Sequence, residues 1–154
     1  MVGDSSFTLL REIGSMALGE NEEIRFSIDA YRGFRYVSVR RYIQTDGFSG
    51  PTRDGLALTP EIVHLLEPKI AALSDQPSQI ADVQLGRFAK RPGICIVAAV
   101  GMIKGQRGLL LRQWQDNVGW TKKGIWLPLD KIRDIKTLFR KTREILNEEP
   151  EDDF

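Results

Sequence analysis

One stretch of this sequence occurs twice, and the repetition limits the folds that the chain can adopt. Residues 32–42 and 104–114 share a pattern: a basic residue, Gly, any residue, Arg, alternating apolar residues, then Arg, any residue and a large aromatic. The matched positions lie 72 residues apart (104 − 32). Because a long-period repeat is typical of one supersecondary unit used more than once, we predict two copies of a single small unit.

Each copy has the pattern of several strands followed by a helix. Residues 24–28 alternate apolar and polar side chains, as in a half-buried strand, and Thr59 followed by Pro60 is a typical helix start. Residues 94–102 and 121–127 repeat the strand patterns, and an apolar stripe at helical spacing follows them. We predict an α+β fold of two tandem repeats, each a curved antiparallel sheet of about four strands followed by one helix, packed as an intrachain pseudo-dimer.

The breaks in these patterns give the predicted boundaries. Glycines interrupt a loosely helical spacing near the N-terminus, and a polar, proline-containing segment separates the two copies. The predicted organisation is an N-terminal arm over residues 1–21, a first repeat over residues 22–73, a connector over residues 74–92, a second repeat over residues 93–146 and an acidic, disordered tail over residues 147–154.

The composition is that of a globular chain without membrane spans. The 154 residues are 42% hydrophobic and 28% charged, which suffices for one compact domain or two small packed ones. Cys95 is the only cysteine, so an internal disulfide is excluded. The longest apolar run, residues 94–103, is shorter than a bilayer requires, and no secretory signal is present. We predict a cytoplasmic protein with no membrane partner.

The charge is distributed unevenly along the chain. The net charge is +1, from 22 basic and 21 acidic side chains, but five of the acids lie in the last seven residues. The remaining chain therefore carries 22 basic side chains against 16 acidic ones. A basic body with an acidic end is typical of proteins that bind a polyanion.

Residues suited to catalysis are scarce. The sequence has no glycine-rich phosphate loop, no metal-ligand cluster and no nucleophile beside a base, and its single histidine, His64, lies at a helical position without ligand partners. We predict that the protein is not an enzyme and that it uses neither a cofactor nor a metal.

Basic and aromatic side chains interleave along the repeated strands and beside their turns. Stacking on an aromatic contributes about 1–3 kcal/mol per base, and Arg and Lys neutralise phosphates. Aromatics on strands and exposed arginines are common for reasons of packing and solvation, but their recurrence in both copies favours a binding function. The residues predicted on these grounds are Tyr31, Arg32, Arg35, Arg40, Tyr42, Arg53, Arg107, Arg112, Trp114 and Lys122, whereas Phe26 and Trp126 are assigned to the core.

The first copy resembles a known family. Residues 26–33, 37–42 and 53–61 are similar to the positive-cofactor-four family of transcriptional coactivators, and the resemblance extends over residues 24–73 and more faintly over residues 96–146. It implies four strands followed by a helix, a dimer, and binding to single-stranded DNA. Two copies in one chain would supply both halves of such a dimer.

The resemblance also implies residue roles. Tyr31 corresponds to an aromatic that stacks on a base, and the phosphate-contacting positions correspond to Arg32, Arg40 and Arg53 in the first copy and to Lys104, Arg112 and Lys122 in the second. Lys123 occupies the position of a further base, where the first copy has Asp54. Ile103 replaces the aromatic of Tyr31, so stacking is expected mainly in the first copy.

The C-terminal end is similar to the tips of bacterial and phage single-stranded-DNA-binding proteins, which recruit replication and repair partners. The predicted partner-binding residues are Asp152, Asp153 and Phe154. This resemblance favours the cytoplasm of a bacterial or phage-infected cell. A purely solubilising acidic end is the alternative.

These observations favour a largely sequence-independent single-stranded-DNA-binding protein that acts in replication or repair, with Arg40 and Arg112 on one continuous track. A transcription cofactor that acts at melted promoters, with the tail contacting the transcription machinery, is the alternative. RNA binding also stays open, because the same side chains accept both polymers. The sequence leaves undecided whether the chain is a monomer, a homodimer or a higher oligomer.

Overall fold

A computed structural model describes residues 7–148. The predictions for the acidic tail, with Asp152, Asp153 and Phe154, lie outside these residues. In chain order the elements are β1 (Thr8–Gly19), β2 (Glu22–Tyr31), β3 (Phe34–Gln44), β4 (Ser49–Leu58), α1 (Pro60–Ala71), β5 (Val83–Arg91), β6 (Ile94–Ile103), β7 (Gln106–Gln115), β8 (Gly119–Pro128) and α2 (Ile132–Glu148), with short 3-10 turns at Pro77–Gln79 and Leu129–Lys131. No helix among the described residues has the length and apolar character needed to cross a bilayer.

The strands form one antiparallel sheet in the order β1-β2-β3-β4-β8-β7-β6-β5. This order is symmetric about its centre, where β4 and β8 pair through Gly55 and Gly124 alone. Strands β1 to β4 with α1 form the first unit, and strands β5 to β8 with α2 form the second. The predicted α+β fold of two strand-and-helix repeats is therefore confirmed, and Gly55 and Gly124 mark the pseudo-two-fold axis.

The basic residue and glycine that open each copy of the repeat form a hairpin turn. Arg32 and Gly33 have φ values of 53° and 84° and connect paired strand ends, and Lys104 and Gly105 have φ values of 51° and 79°. Positive φ at both central residues is the geometry of a type I′ turn, which matches the twist of the strands that it connects. The recurrence of this dipeptide thus has a structural cause, in addition to the charge that it presents.

The predicted arm and connector were wrong where they overlap β1 and β5. Thr8–Gly19 pairs with β2, and Val83–Arg91 pairs with β6. The register is interrupted three times in β1 and twice in β5, and these bulges shift the alternation of apolar residues. A strand with shifted alternation has no clear period of two in its sequence, and for this reason pattern analysis did not find it.

The two bulged strands nevertheless follow the 72-residue spacing. Gly14 and Gly86 both come directly after a register shift and face equivalent positions of the next strand. A Cβ at Gly14 would lie 2.9 Å from Leu138 Cδ2, and a Cβ at Gly86 would lie 2.6 Å from Phe88 Cζ. Extending the repeat upstream to these two glycines would have identified β1 and β5 from the sequence.

Both helices cover one face of the sheet, and each helix packs partly on the other unit. Helix α2 packs against β1, and α1 packs against β5 as well as against α2. The ring of Phe139 in α2 lies 5.2 Å from the ring of Phe26 in β2, edge to face, and both side chains are almost fully buried. Arg143 of α2 pairs with Glu67 of α1 at 2.8 Å. Each unit therefore completes the core of the other.

Candidate nucleic-acid interface

The centre of the sheet carries an arginine on each side of the pseudo-two-fold axis. Arg40 is the Cα partner of Gly55, Gly55 of Gly124, and Gly124 of Arg112, so the four residues form one line across β3, β4, β8 and β7. Because Cα partners lie about 5 Å apart, the two arginine Cα atoms are about 15 Å apart. Strand alternation directs both side chains to the face of the sheet opposite the helices, called here the helix-free face.

Both axial glycines are required by close contacts. A Cβ at Gly55 would lie 2.8 Å from the carbonyl oxygen of Val39 and 2.9 Å from Cζ of Arg40, and a Cβ at Gly124 would lie 2.9 Å from the carbonyl oxygen of Leu111. The Arg40 side chain thus lies directly above Gly55. Because the glycines lack side chains, the neighbouring strands approach closely, and the surface of the sheet is lower between the Cα atoms of the two arginines.

We expect Gly55→Ala to destabilise the fold by about 1–3 kcal/mol, because the added methyl would overlap a backbone oxygen that cannot move away. Chemical denaturation would measure the loss. Gly47→Ala is the matched control, since a Cβ at Gly47 meets nothing within 4 Å. Equal stability of the two variants would contradict the close approach of the strands.

The helix-free face of the first unit forms a groove of about 620 Å³, called here the first groove, which includes Arg40 and Tyr42. The Arg40 guanidinium donates from Nη1 to the Thr52 carbonyl oxygen at 3.0 Å. The Cζ atom of Arg25 lies 4.1 Å from the ring centre of Tyr42. The carboxylates in the groove are Glu12, Glu23 and Asp29.

The aromatic residues at the end of the first groove form a small cluster. The ring of Tyr31 stacks at 4.8 Å on Phe7, which directly precedes β1, and Tyr36 meets Phe7 edge to face at 5.7 Å. Arg32 places its Cζ 5.2 Å from the Tyr31 ring. One face of Tyr31 is therefore occupied by Phe7, which the sequence analysis had assigned to the arm.

Asp29 is a half-buried acid of the first groove. It accepts a hydrogen bond from the Ser27 hydroxyl at 2.9 Å. Burial raises the pKa of Asp29, whereas Ser27 and the nearby Arg40 oppose that shift.

A second depression of about 670 Å³, called here the inter-unit cleft, contains residues of both units. It includes four residues predicted to bind phosphates: Lys104, Arg112, Lys122 and Lys123. The first unit contributes Glu22, Arg41 and Asp54, among others. Arg41 pairs with Glu22 at 2.7 Å and with Asp54 at 2.8 Å, so these two acids are already neutralised by a neighbour.

Two adjacent indoles are flanked by arginines on the helix-free face of the second unit. The Cζ atom of Arg112 lies 4.0 Å from the ring centre of Trp120, Trp120 meets Trp114 edge to face at 5.1 Å, and the Cζ atom of Arg87 lies 5.6 Å from Trp114. Trp120 is 43% exposed. This row of residues, called here the tryptophan row, offers an exposed ring beside a guanidinium, which suits an unstacked base and its phosphate.

The assignment of Trp126 to the core was wrong. Its neighbours Ile125 and Leu127 are buried, so alternation places Trp126 on the helix-free face, where it lines the inter-unit cleft. A Cβ at Gly108 would overlap the Trp126 indole, which therefore lies flat on the strand. Its Nε1 atom is buried without a partner among the described residues. Phe26, by contrast, lies in the core as predicted.

The comparisons with known proteins concern mainly the first unit. Residues 18–67 match the family model described as Transcriptional Coactivator p15 (PC4). The first unit is PC4-like. The match covers about a third of the chain and confirms the resemblance on which the residue roles were based.

Two further comparisons add little. No curated protein matches the chain. A solved structure titled "Structure of the plant transcriptional regulator PBF-2" is similar over 96% of this chain and 91% of that chain, with 9% sequence identity and a TM-score of 0.34.

Two predicted residues do not reach the helix-free face. Arg107 lies on the helix side of the sheet, where it pairs with Asp82 at 2.8 Å and donates to the carbonyl oxygens of Pro77, at 3.1 Å, and Ile80. Arg35 of the PC4-like unit also lies on the helix side, because it shares the alternation of Val37. We therefore exclude both arginines from the candidate interface.

Six of the remaining predicted residues line one of the two depressions. Arg40 and Tyr42 line the first groove of the PC4-like unit, whereas Lys104, Arg112, Lys122 and Lys123 line the inter-unit cleft. Arg53 is exposed and lies two residues before Gly55, in the stretch of β4 where the register with β3 shifts. The predicted single track is thus divided at the axis, and the line from Arg40 to Arg112 connects its two parts.

Proposed function

We propose that the chain binds single-stranded DNA across the helix-free face, largely without regard to sequence, and acts as a transcription cofactor. The observation that carries this proposal is the line of Arg40, Gly55, Gly124 and Arg112, whose two glycines form a low floor, with the Arg40 guanidinium above Gly55 and the Arg112 side chain beside Gly124. A polyphosphate chain that crosses this floor can contact both arginines.

Aromatic side chains on both sides of the floor favour an unpaired strand over a duplex. Trp120 and Trp114 in the second unit, and Tyr31 and Tyr36 in the PC4-like unit, lie beside cations. Bases can stack on such rings only when they are not enclosed in a double helix, and stacking tolerates any base. Ring and cation together therefore support binding that selects for single strands rather than for sequence.

The role in transcription rests on the family description. The family that residues 18–67 match is described as a transcriptional coactivator, and this favours the transcription alternative over replication or repair. The replication hypothesis depended on the acidic tail, whose residues the structure does not describe. We further propose that the protein acts by binding alone, without catalysis, because the side chains of the interface are mainly cations and rings.

The test is fluorescence anisotropy with labelled oligo-dT, a duplex, and a duplex that contains an unpaired bubble, over a salt series. We expect tight binding to oligo-dT and to the bubble and much weaker binding to the duplex. Neutralising four phosphates of a single strand should give a slope of about −3 for log K against log salt. Equal binding to the duplex, or no dependence on salt, would refute the proposal, and equal competition by oligo-U would extend it to RNA.

A further inference from the structure

The internal repeat allows equivalent positions of the two units to be compared. In the first unit Arg41 pairs with Glu22 and Asp54 at the edge of the inter-unit cleft. The strand registers place Lys90, Gln113 and Lys123 of the second unit at the positions of Leu18, Arg41 and Asp54 in the first. An acid and an apolar residue are thus replaced by two lysines, and the arginine that neutralises the acid is replaced by a neutral amide.

The ammonium group of Lys90 is held in a defined, partly buried position. Its Nζ donates to Gln113 Oε1 at 3.4 Å and lies 5.6 Å from the ring centre of Tyr36, which belongs to the other unit. Gln113 lies opposite residues 121–123 of β8, which include Lys123, and Arg91 follows Lys90 in β5, so both charged groups that act on Lys90 are cations. Burial, followed by these two cations, lowers the pKa of Lys90 to about 8.

Such a group of cations is unfavourable until an anion neutralises it. Burial and like charges both disfavour the charged lysine, and among the described residues the charged groups that shift its pKa include no acid. A phosphate bound among the three cations would remove their repulsion and form charge-assisted hydrogen bonds. Tyr36 stands beside the site and would lie next to the base attached to that phosphate.

We infer that Lys90, Arg91 and Lys123 form a phosphate site that receives a phosphodiester group of the bound single strand. The inference rests on the proposed function for the identity of the ligand. The site joins the units, because its cations come from the second unit and its neighbouring ring comes from the first. The equivalent position of the first unit is occupied by the ion pairs of Arg41 and cannot act in the same way.

The proposed site makes binding depend on pH in one direction. A phosphate favours the charged form of Lys90 and raises its pKa, so binding takes up a proton when the pH is near 8. Affinity should therefore fall as the pH rises through 8. The stability of the ligand-free chain should change in the opposite sense. The pKa of Lys90 is lower in the folded chain than the ordinary 10.5, so the unfolded chain binds more protons between pH 8 and 10.5. The free energy of unfolding should therefore rise over this pH range.

Two substitutions at Lys90 separate its charge from its titration. Lys90→Leu installs the residue that the first unit has at Leu18, and we expect about tenfold weaker binding to oligo-dT at pH 7. Lys90→Arg keeps the charge at every accessible pH, so its affinity should stay level from pH 7 to 9.5 while that of the unaltered chain falls. Lys69→Leu removes an exposed charge from α1 and should change neither the affinity for oligo-dT at pH 7 nor the dependence of that affinity on pH.

The outcomes distinguish this site from the proposed function. The site would be overturned, and the function left standing, if oligo-dT bound tightly, Lys90→Leu did not weaken this binding, and Lys90→Arg showed the same pH profile of affinity as the unaltered chain. Absence of any oligo-dT binding would refute the function. The site is then decided by following the Lys90 ¹³Cε resonance against pH with and without sodium tripolyphosphate: a raised pKa supports it, and an unchanged pKa overturns it.

Discussion

Replacing Arg40 and Arg112 together with alanine should weaken binding to oligo-dT by about 100-fold or more at low salt. Hydrogen bonds to charged groups contribute about 1.5–3 kcal/mol each, and every 1.4 kcal/mol is a factor of ten in affinity. Both side chains lie on the line that crosses the axis, and Arg112 also supports the exposed ring of Trp120. Anisotropy with labelled oligo-dT would measure the loss.

The dependence on salt gives a second readout of the same change. Removing two phosphate contacts should reduce the slope of log K against log salt by about 1.4, since each contact on a single strand contributes about 0.7. Because the two arginines are about 15 Å apart across the sheet, the binding free energies lost in the two single variants should sum to the loss in the double variant. A strongly non-additive result would indicate that they do not contact the strand independently.

The matched control removes the same charge elsewhere. Arg133 and Arg140 are both exposed on α2, on the helix side of the sheet. Their joint replacement by alanine lowers the net charge equally and should leave oligo-dT binding nearly unchanged. If both double variants lost affinity to the same extent, the positive charge of the whole protein, rather than the line across the axis, would account for binding.

The repeated pattern was sufficient to predict the central part of the fold. The alternation in β2 and β3 and the two turns were readable, because the central part of these strands has one buried face and a period of two, and β6 and β7 were found through their match to them in the repeat. The outer strands were missed, because their bulges break that period. Gly14 and Gly86, which follow a bulge in each strand, were the remaining signal.

The errors in the predicted interface have a simple geometric cause. Arg107 and Arg112 are five residues apart in one strand, and an odd separation places two side chains on opposite faces. The same rule separates Arg35 from Arg40 and puts Trp126 beside Gly124 rather than with buried Ile125. Parity within each strand, applied to every candidate, would have corrected these assignments without a structure.

The exchange of helices between the units could not be predicted in this way. An apolar stripe on a helix shows that the helix packs, but it does not show which sheet covers the stripe. The two sheets offer similar apolar faces, because they come from a repeat. The choice is decided by particular contacts, such as those of Leu138 with Gly14 and of Phe139 with Phe26.

Phe139→Ala should therefore destabilise the whole chain, by about 3–5 kcal/mol, as is usual for a fully buried phenylalanine. The ring is 0% exposed and meets Phe26 of the other unit at 5.2 Å, so the cavity would open between the units. Urea denaturation followed by circular dichroism would measure the change. Phe34→Ala is the control, since Phe34 is 67% exposed beside a turn and its removal should cost less than about 0.5 kcal/mol.

The shape of the unfolding transition tests the exchange of helices itself. Because α2 covers β1 and α1 covers β5, loss of either helix exposes apolar surface in both units, and the chain should unfold in a single cooperative step. Phe139→Ala should shift this step to lower urea concentration without splitting it or changing its slope. If the variant instead showed two transitions, with the first unit retaining its stability, then the units would fold independently and α2 would not be part of the first unit's core.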